Sequence, residues 1–271
     1  MRVSTMATRP VFVVSSPAQH DESDNDRPII SRLDLLYKEY MVDFSWTPGV
    51  SITNKRKNIG ALHSAIRKKW PHIRILEVST KSDNPVGRAF SAFNIKIRSK
   101  ECCGTSKCNR CRPFESAYQS SKVLDGNINP EIQYLKPSQA KSHELIAGKV
   151  PQAFEWDGQR WKLDSCFYDW LYINAICGPL RCDSNPNIEQ LADYDAFTDI
   201  EFNPKRSKNT QARACAIAVG LIRQQKQLID RLFDESTVKE YLESEKFSGH
   251  HVQPKFWTTS SDSSLDGSTT R

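Results

Sequence analysis

Residues 194–213, from Tyr194 to Arg213, commit the chain to a strand, a turn and a buried helix in immediate succession. Thr198-Asp-Ile-Glu-Phe202 alternates as a strand does, which would place Asp199 and Glu201 on one face and Ile200 and Phe202 on the other. Asn203-Pro204 punctuates a turn. From Gln211 onward, Ala212, Ala214, Cys215, Ala216, Ala218, Val219, Leu221 and Ile222 read as a buried helix. Asp195, Asp199, Glu201, Asn203, Asn209 and Gln211 crowd this otherwise apolar or basic path. Acids at a strand end followed by amides at a helix start suit a sugar and phosphate site. The plainer alternative is a set of capping acids that pair with Lys205, Arg206 and Arg213.

At 271 residues the chain can bury a sizeable core in one large domain or two small ones. No apolar run reaches the ~18 residues needed to cross a bilayer, and Val11-Phe-Val-Val14 is too brief for a signal sequence. The expectation is a soluble cytoplasmic protein without a membrane partner. The net charge of +6 is clustered at Lys55-Arg-Lys57, Arg67-Lys-Lys69, Arg110 with Arg112, and Lys205-Arg206. Gathered on one surface, these foci would attract phosphates; apart, they are solvated faces. Cys102-Cys-Gly-Thr-Ser-Lys-Cys-Asn-Arg-Cys111 contains one Cys-x-x-Cys step. Cys103, Cys108 and Cys111 are the candidates for a structural zinc site, with plain thiols in a loop as the alternative.

Along the chain, the spacing predicts helices at 31–40, 51–69, 114–124, 138–147, 164–176, 211–224 and 227–241. Strands are expected at 41–46, 74–79 and 92–98, with a hairpin around Asp157-Gly158. Few scattered strands among many helices predict one α+β domain, mostly helical with a small sheet. It would span 8–247, with insertions near 18–40 and 100–112 and a polar tail over 248–271.

Three further segments join the 194–213 stretch: Phe90-Ser-Ala-Phe-Asn94, Phe114 to Lys122, and Phe167-Tyr-Asp-Trp-Leu-Tyr172. Together they resemble the NADAR family, also called YbiA-like. Trp46-x-Pro-Gly49 and Asn203-Pro-x-x-Ser-x-Asn-x-Gln-Ala-Arg213 are similar to its branch of antitoxins associated with DarT-type DNA-ADP-ribosylating toxins. Phe90-Ser-Ala-Phe93 carries alanine where that family's element has asparagine. The resemblance implies the NADAR fold and an N-glycosidase that removes ADP-ribose from modified guanine in DNA, with no cofactor. ADP-ribosylated DNA, ADP-ribose and a cognate ADP-ribosyltransferase toxin are the implied partners. The alternatives are a module that binds ADP-ribose or sequesters the toxin without chemistry, and hydrolysis of a small free N-glycoside.

Cleaving an N-glycosidic bond passes through an oxocarbenium-like state and needs an acid, a base and nearby negative charge. Glu115, Asp199 and Glu201 are the catalytic candidates from the matched motifs. Phe90, Phe93, Tyr118 and Trp170 could stack on a base or shield the sugar. Ser91, Asn94, Gln119, Lys122, Asn203, Asn209, Gln211 and Arg213 could meet hydroxyls and pyrophosphate. Asp169, an acid amid aromatic residues, needs a partner if buried. Each has a duller reading. Glu115 could stabilise its helix start, Lys122 could pair with Glu115 or Asp125, and Phe93 and Trp170 could be core. His63 reads as a packed, satisfied histidine.

Overall fold

In the computed structural model, residues 5–16, 36–98, 111–163, 167–204 and 210–224 are described. A four-stranded sheet stands at the centre, in the order β2 (Tyr37–Trp46), β1 (Thr5–Val14), β9 (Ala196–Thr198), β3 (Ile75–Glu77). β1 is antiparallel to β2 and β9, while β3 and β9 run parallel. Strand alternation sorts the side chains into two cores. Val11, Phe44, Ile75 and Ala196 meet helix α1 (Ile52–Lys69) through Ile59, Leu62 and Ile66. Phe12, Val14, Leu76 and Phe197 face the opposite way, in one core with helices α5 (Phe167–Cys177) and α6 (Gln211–Gln224). The fold is mixed α+β.

Helix α1 starts at Ser51, whose hydroxyl accepts the Asn54 N–H, and Pro71 follows its end. The short helix α2 (Pro85–Ala89) is capped by Asn84 and lies under the end of β3. Strands β4 (Lys96–Ile97) and β5 (Arg112–Pro113) form a two-stranded ladder that leads into helix α3 (Phe114–Ser120). β6 (Lys122–Val123), β7 (Ala153–Trp156) and β8 (Gln159–Trp161) form a third sheet, and helix α4 (Pro137–Ser142) packs near α3. The β7–β8 turn places Asp157 at φ 49° and Gly158 at φ 79°, the double left-handed geometry that an Asp-Gly hairpin favours.

Two expectations fail here. The helix expected over 31–40 is β-strand from Tyr37 onward, where each residue to Trp46 pairs with β1. The apolar spacing of Leu35, Leu36, Tyr37 and Tyr40 fits either period, and ladder pairing decides it. The strand expected over 92–98 is reduced to β4, because Asn94 and Ile95 turn back on the Ser91 carbonyl. The expected helix at 227–241, the 248–271 tail and the cysteine segment up to Arg110 lie outside the described residues.

Gly87 marks a close approach. A Cβ there would stand 2.0 Å from the Glu77 carbonyl oxygen and 2.7 Å from Ser82 Oγ. Gly87→Ala is therefore expected to destabilise the protein by about 1–3 kcal/mol through overpacking against main chain. A urea midpoint equal to that of the parent would show that α2 shifts freely.

Candidate active site

β9 ends at Thr198, so the expected alternation through Phe202 does not occur. The chain turns instead: the Phe202 N–H donates to the Asp199 carbonyl, and the Ile200 N–H to Glu77 Oε1 at 2.8 Å. Asp199 and Glu201 consequently part company. Asp199 is 9% exposed, its Oδ1 accepts the Glu201 N–H at 3.0 Å, and its Oδ2 accepts the Thr210 hydroxyl at 3.3 Å. Glu201, expected to share a face with it, stands at the rim, its side chain 40% exposed and paired with Lys55 Nζ at 2.6 Å.

Behind Asp199 lies a carboxylate that no motif announced. Glu77, the last residue of β3, is 2% exposed and accepts the Thr198 hydroxyl on Oε2 at 2.7 Å. Burial pushes its carboxyl up, against the pull of donors from Ile200, Thr198 and Ser79. Burial likewise pushes Asp199 up to about 8, and the negative charges of Glu77 and Glu201 add to it. A signal for Glu77 existed in the sequence. An acid between Leu76 and Val78 needs partners for the same reason as Asp169.

Glu115, in the first turn of α3, is buried and accepts Gln119 Nε2 at 2.8 Å. Its N–H donates to the Ala92 carbonyl, and the Ala92 N–H donates to Gln211 Oε1 at 2.6 Å. Both contacts at position 92 are main-chain. Gln211, expected on a ribose hydroxyl, has both ends of its amide on backbone, the other donating to the Val78 carbonyl. It latches the 91–95 segment to the end of β3.

Asp169 finds its partner in Arg213, whose Nε and terminal nitrogen reach Oδ2 at 3.0 and 2.7 Å. Burial pushes Asp169 up and would lower Arg213, but Asp169, Tyr37 and Glu39 hold the guanidinium above its ordinary value. Two charge-assisted bonds on one oxygen favour the ionised pair. Among the described residues, Asp169 Oδ1 has no hydrogen-bond partner, nor do Ser91 Oγ, Gln119 Oε1 and Trp170 Nε1, all buried.

The aromatic wall runs from Phe114 and Tyr118 to Tyr168 and Tyr172. Tyr168, another residue that periodicity did not single out, is the hub. Burial raises its hydroxyl well above the ordinary value, and the charges of Glu115, Asp199 and Asp169 raise it further. Acids from α3, the β9 turn and α5 thus all lie within electrostatic reach of one buried phenol. Phe90, expected to stack on a base, is fully buried in the core, and its carbonyl accepts the Tyr172 hydroxyl. Trp170 is also core, 4.9 Å from Trp161 between ring centroids. Phe93 is half-buried beneath Lys141 Nζ at 5.7 Å, and the Asn94 side chain donates to the Arg88 carbonyl. Lys122 Nζ lies 5.6 Å from the Tyr118 ring. Burial lowers its ammonium, Glu115 raises it, and Lys141 lowers it. Asn203 is half-buried, while Asn209 lies outside the described residues.

The Trp46-x-Pro-Gly motif borders the same turn. Trp46 is flanked by Arg9 at 5.3 Å and Lys55 at 5.8 Å, and Arg9 lies in the field of Asp199. Asn58 fixes the motif by clamping both main-chain groups of Thr47, at 2.7 and 2.9 Å. A separate cavity of about 400 Å³ adjoins another face of α3, lined by Arg98, Arg112, Ser120, Gln133, Glu155 and Trp156. None of the expected site residues among the described ones lines it. Among the described residues, no cluster of His, Cys, Asp and Glu could hold a metal ion, and Cys103 and Cys108 lie outside them. No helix among them is long and apolar enough to cross a membrane.

Fold and site define an α+β protein with buried acids gathered at one strand end against an aromatic helix. The family follows from comparison with known sequences. The chain belongs to the DarT1-associated NADAR antitoxins, whose family model matches residues 26–251. No curated protein matches it. β1 lies outside the matched residues, although it sits in the middle of the sheet order.

Proposed function

We propose that this protein is an N-glycosidase that removes ADP-ribose from ADP-ribosylated guanine in DNA. It would thereby reverse, in the cytoplasm, the modification made by a cognate toxin. One observation carries the reading: hydrogen bonds tie two buried acids from separate motifs to neighbouring residues, Glu115 through Ala92 to Gln211, and Asp199 to Thr210 just before it. A pocket that only holds pyrophosphate gains nothing from paired acids, whereas an oxocarbenium-like state needs them. In this reading Asp199 is the acid, because burial keeps a proton on it near neutral pH, and Glu115 is the base for water. Glu201 and Lys55 frame the rim, and Lys122 with Lys141 supports the pyrophosphate. The Ser91, Gln119 and Asp169 oxygens are buried and have no hydrogen-bond partner among the described residues.

The reading is tested with a guanine-ADP-ribosylated oligonucleotide, wild type against Glu115→Gln. Rapid release by wild type and a loss of ~10²–10⁴-fold in the variant are expected. Tight binding without release by either protein would favour a binding module.

Helix α1 bears on the substrate. It carries Lys55, Arg56, Lys57, Arg67, Lys68 and Lys69 and no acid, and Lys57, Arg67 and Lys68 are exposed. The two clusters lie about three turns apart, a spacing that suits a polyanion. Replacing Lys57, Arg67 and Lys68 with glutamate is expected to raise KM on long DNA and to leave a short ADP-ribosyl nucleoside unaffected. For every phosphate that is no longer neutralised, the slope of log affinity against log salt should fall by roughly 0.7–0.9. Equal salt sensitivity for the two substrates would make this face a solvated one.

A further inference from the structure

We propose that Glu77 is a positioning residue for Asp199: it is held as the charged member of a buried carboxyl pair and so leaves the pair's proton on Asp199. This rests on the glycosidase reading above and deepens it. The assignment follows from comparing how closely the donors approach each carboxyl. Glu77 takes the Ile200 N–H on Oε1 at 2.8 Å and the Thr198 hydroxyl on Oε2 at 2.7 Å. Asp199 takes the Glu201 N–H at 3.0 Å and the Thr210 hydroxyl at 3.3 Å, both longer than their counterparts on Glu77. Two like charges in a low-dielectric site do not both persist, and the negative charge settles where the donors come closer. The proton therefore stays on Asp199, which faces the turn shared with Glu201.

A third group reports the choice. His63, on the face of α1 packed against the sheet, places Nε2 2.9 Å from Thr198 Oγ1. The threonine has one hydroxyl proton. If it goes to a charged Glu77, Nε2 must be the donor, and the chain runs His63 to Thr198 to Glu77. If Glu77 held the proton, the chain would reverse and Nε2 would accept. Burial and the charge of Arg67 lower His63 to about 4, so the ring is neutral at pH 7 and has one of these two tautomers. The other groups that bear on Asp199 are Glu201 in its own turn, Arg9 on β1, Tyr168 and Tyr172 on α5, and Cys215 on α6.

In the step this serves, the bond between the sugar carbon and the guanine nitrogen breaks. Its electron pair goes to the nitrogen, which takes the proton of Asp199. Water oxygen bonds to the sugar carbon and gives its proton to Glu115, and exchange with solvent returns both acids to their starting forms.

Two measurements test it, and the first needs no turnover. In ¹⁵N-histidine protein at pH 7, with His63 assigned from His63→Gln, the Nε2–H tautomer is expected. The Nδ1–H tautomer would overturn the proposal whether or not the protein cleaves DNA. The second is the pH–rate profile of Glu77→Gln. Without the neighbouring charge, Asp199 should lose its proton at lower pH, moving the alkaline limb down by roughly one unit or more. A rate lowered evenly at every pH, with the limb in place, would make Glu77 merely structural. If wild type releases no ADP-ribose, the glycosidase reading fails, and the tautomer still judges the pair.

Discussion

Asp199→Asn is expected to lower turnover by ~10²–10⁴-fold while making the folded protein more stable at pH 8. The two effects have one cause. Asp199 is buried beside Glu77 and is pushed from an ordinary value of 3.8 up to about 8. Between those values the folded protein holds a proton that the unfolded chain has released, so stability falls as pH rises through the window. That stability is fully present below pH 4 and lost by pH 8. Asparagine does not titrate, yet it can still accept from the Glu201 N–H and the Thr210 hydroxyl. The variant should match wild type near pH 4 and exceed it at pH 8 by ~1–3 kcal/mol, after allowance for relaxation around a coupled pair. Thermal unfolding at the two pH values measures this. A variant no more stable at pH 8, with activity retained, would place Asp199 among ordinary capping acids.

The opposite balance is expected at Asp169. Asp169→Ala strands the Arg213 guanidinium, whose side chain is only 17% exposed, and should cost ~3–5 kcal/mol. Replacing both partners, as Asp169→Leu with Arg213→Met, should recover much of that loss, because it is an unpaired buried charge that is expensive. If the double variant folds like wild type but turns over slowly, the pair matters to the site as well as to folding. A single variant as stable as wild type would show that Arg213 finds water or another acid.

These contrasts mark how far the sequence could be read. Helix α1, helix α6 and the Asp157-Gly158 hairpin were legible because each follows a local rule: a cap, a buried period, a paired left-handed turn. β1 was not, since Arg9 and Pro10 interrupt its alternation and only pairing with β2 and β9 defines it. Asp199 and Glu201 were found together, but the strand expected to align them stops at Thr198. What stops it is non-local: Glu77, more than a hundred residues earlier, captures the Ile200 N–H. Tyr168 and Glu77 escaped for the same reason. Their roles lie in what distant segments bring to them, and periodicity does not record that. Phe90 and Gln211 stood out in motifs, yet one is core and the other a backbone latch.

The most direct test of the account is hydrolysis in H₂¹⁸O of DNA carrying ADP-ribosylated guanine, with both products read by mass spectrometry. The account predicts unmodified guanine in intact DNA and free ADP-ribose with one ¹⁸O from attack at the sugar carbon, both lost in Asp199→Asn. Because free ADP-ribose can exchange that oxygen, the reading is taken early in the reaction. DNA recovered still modified, although bound by folded protein, would contradict it.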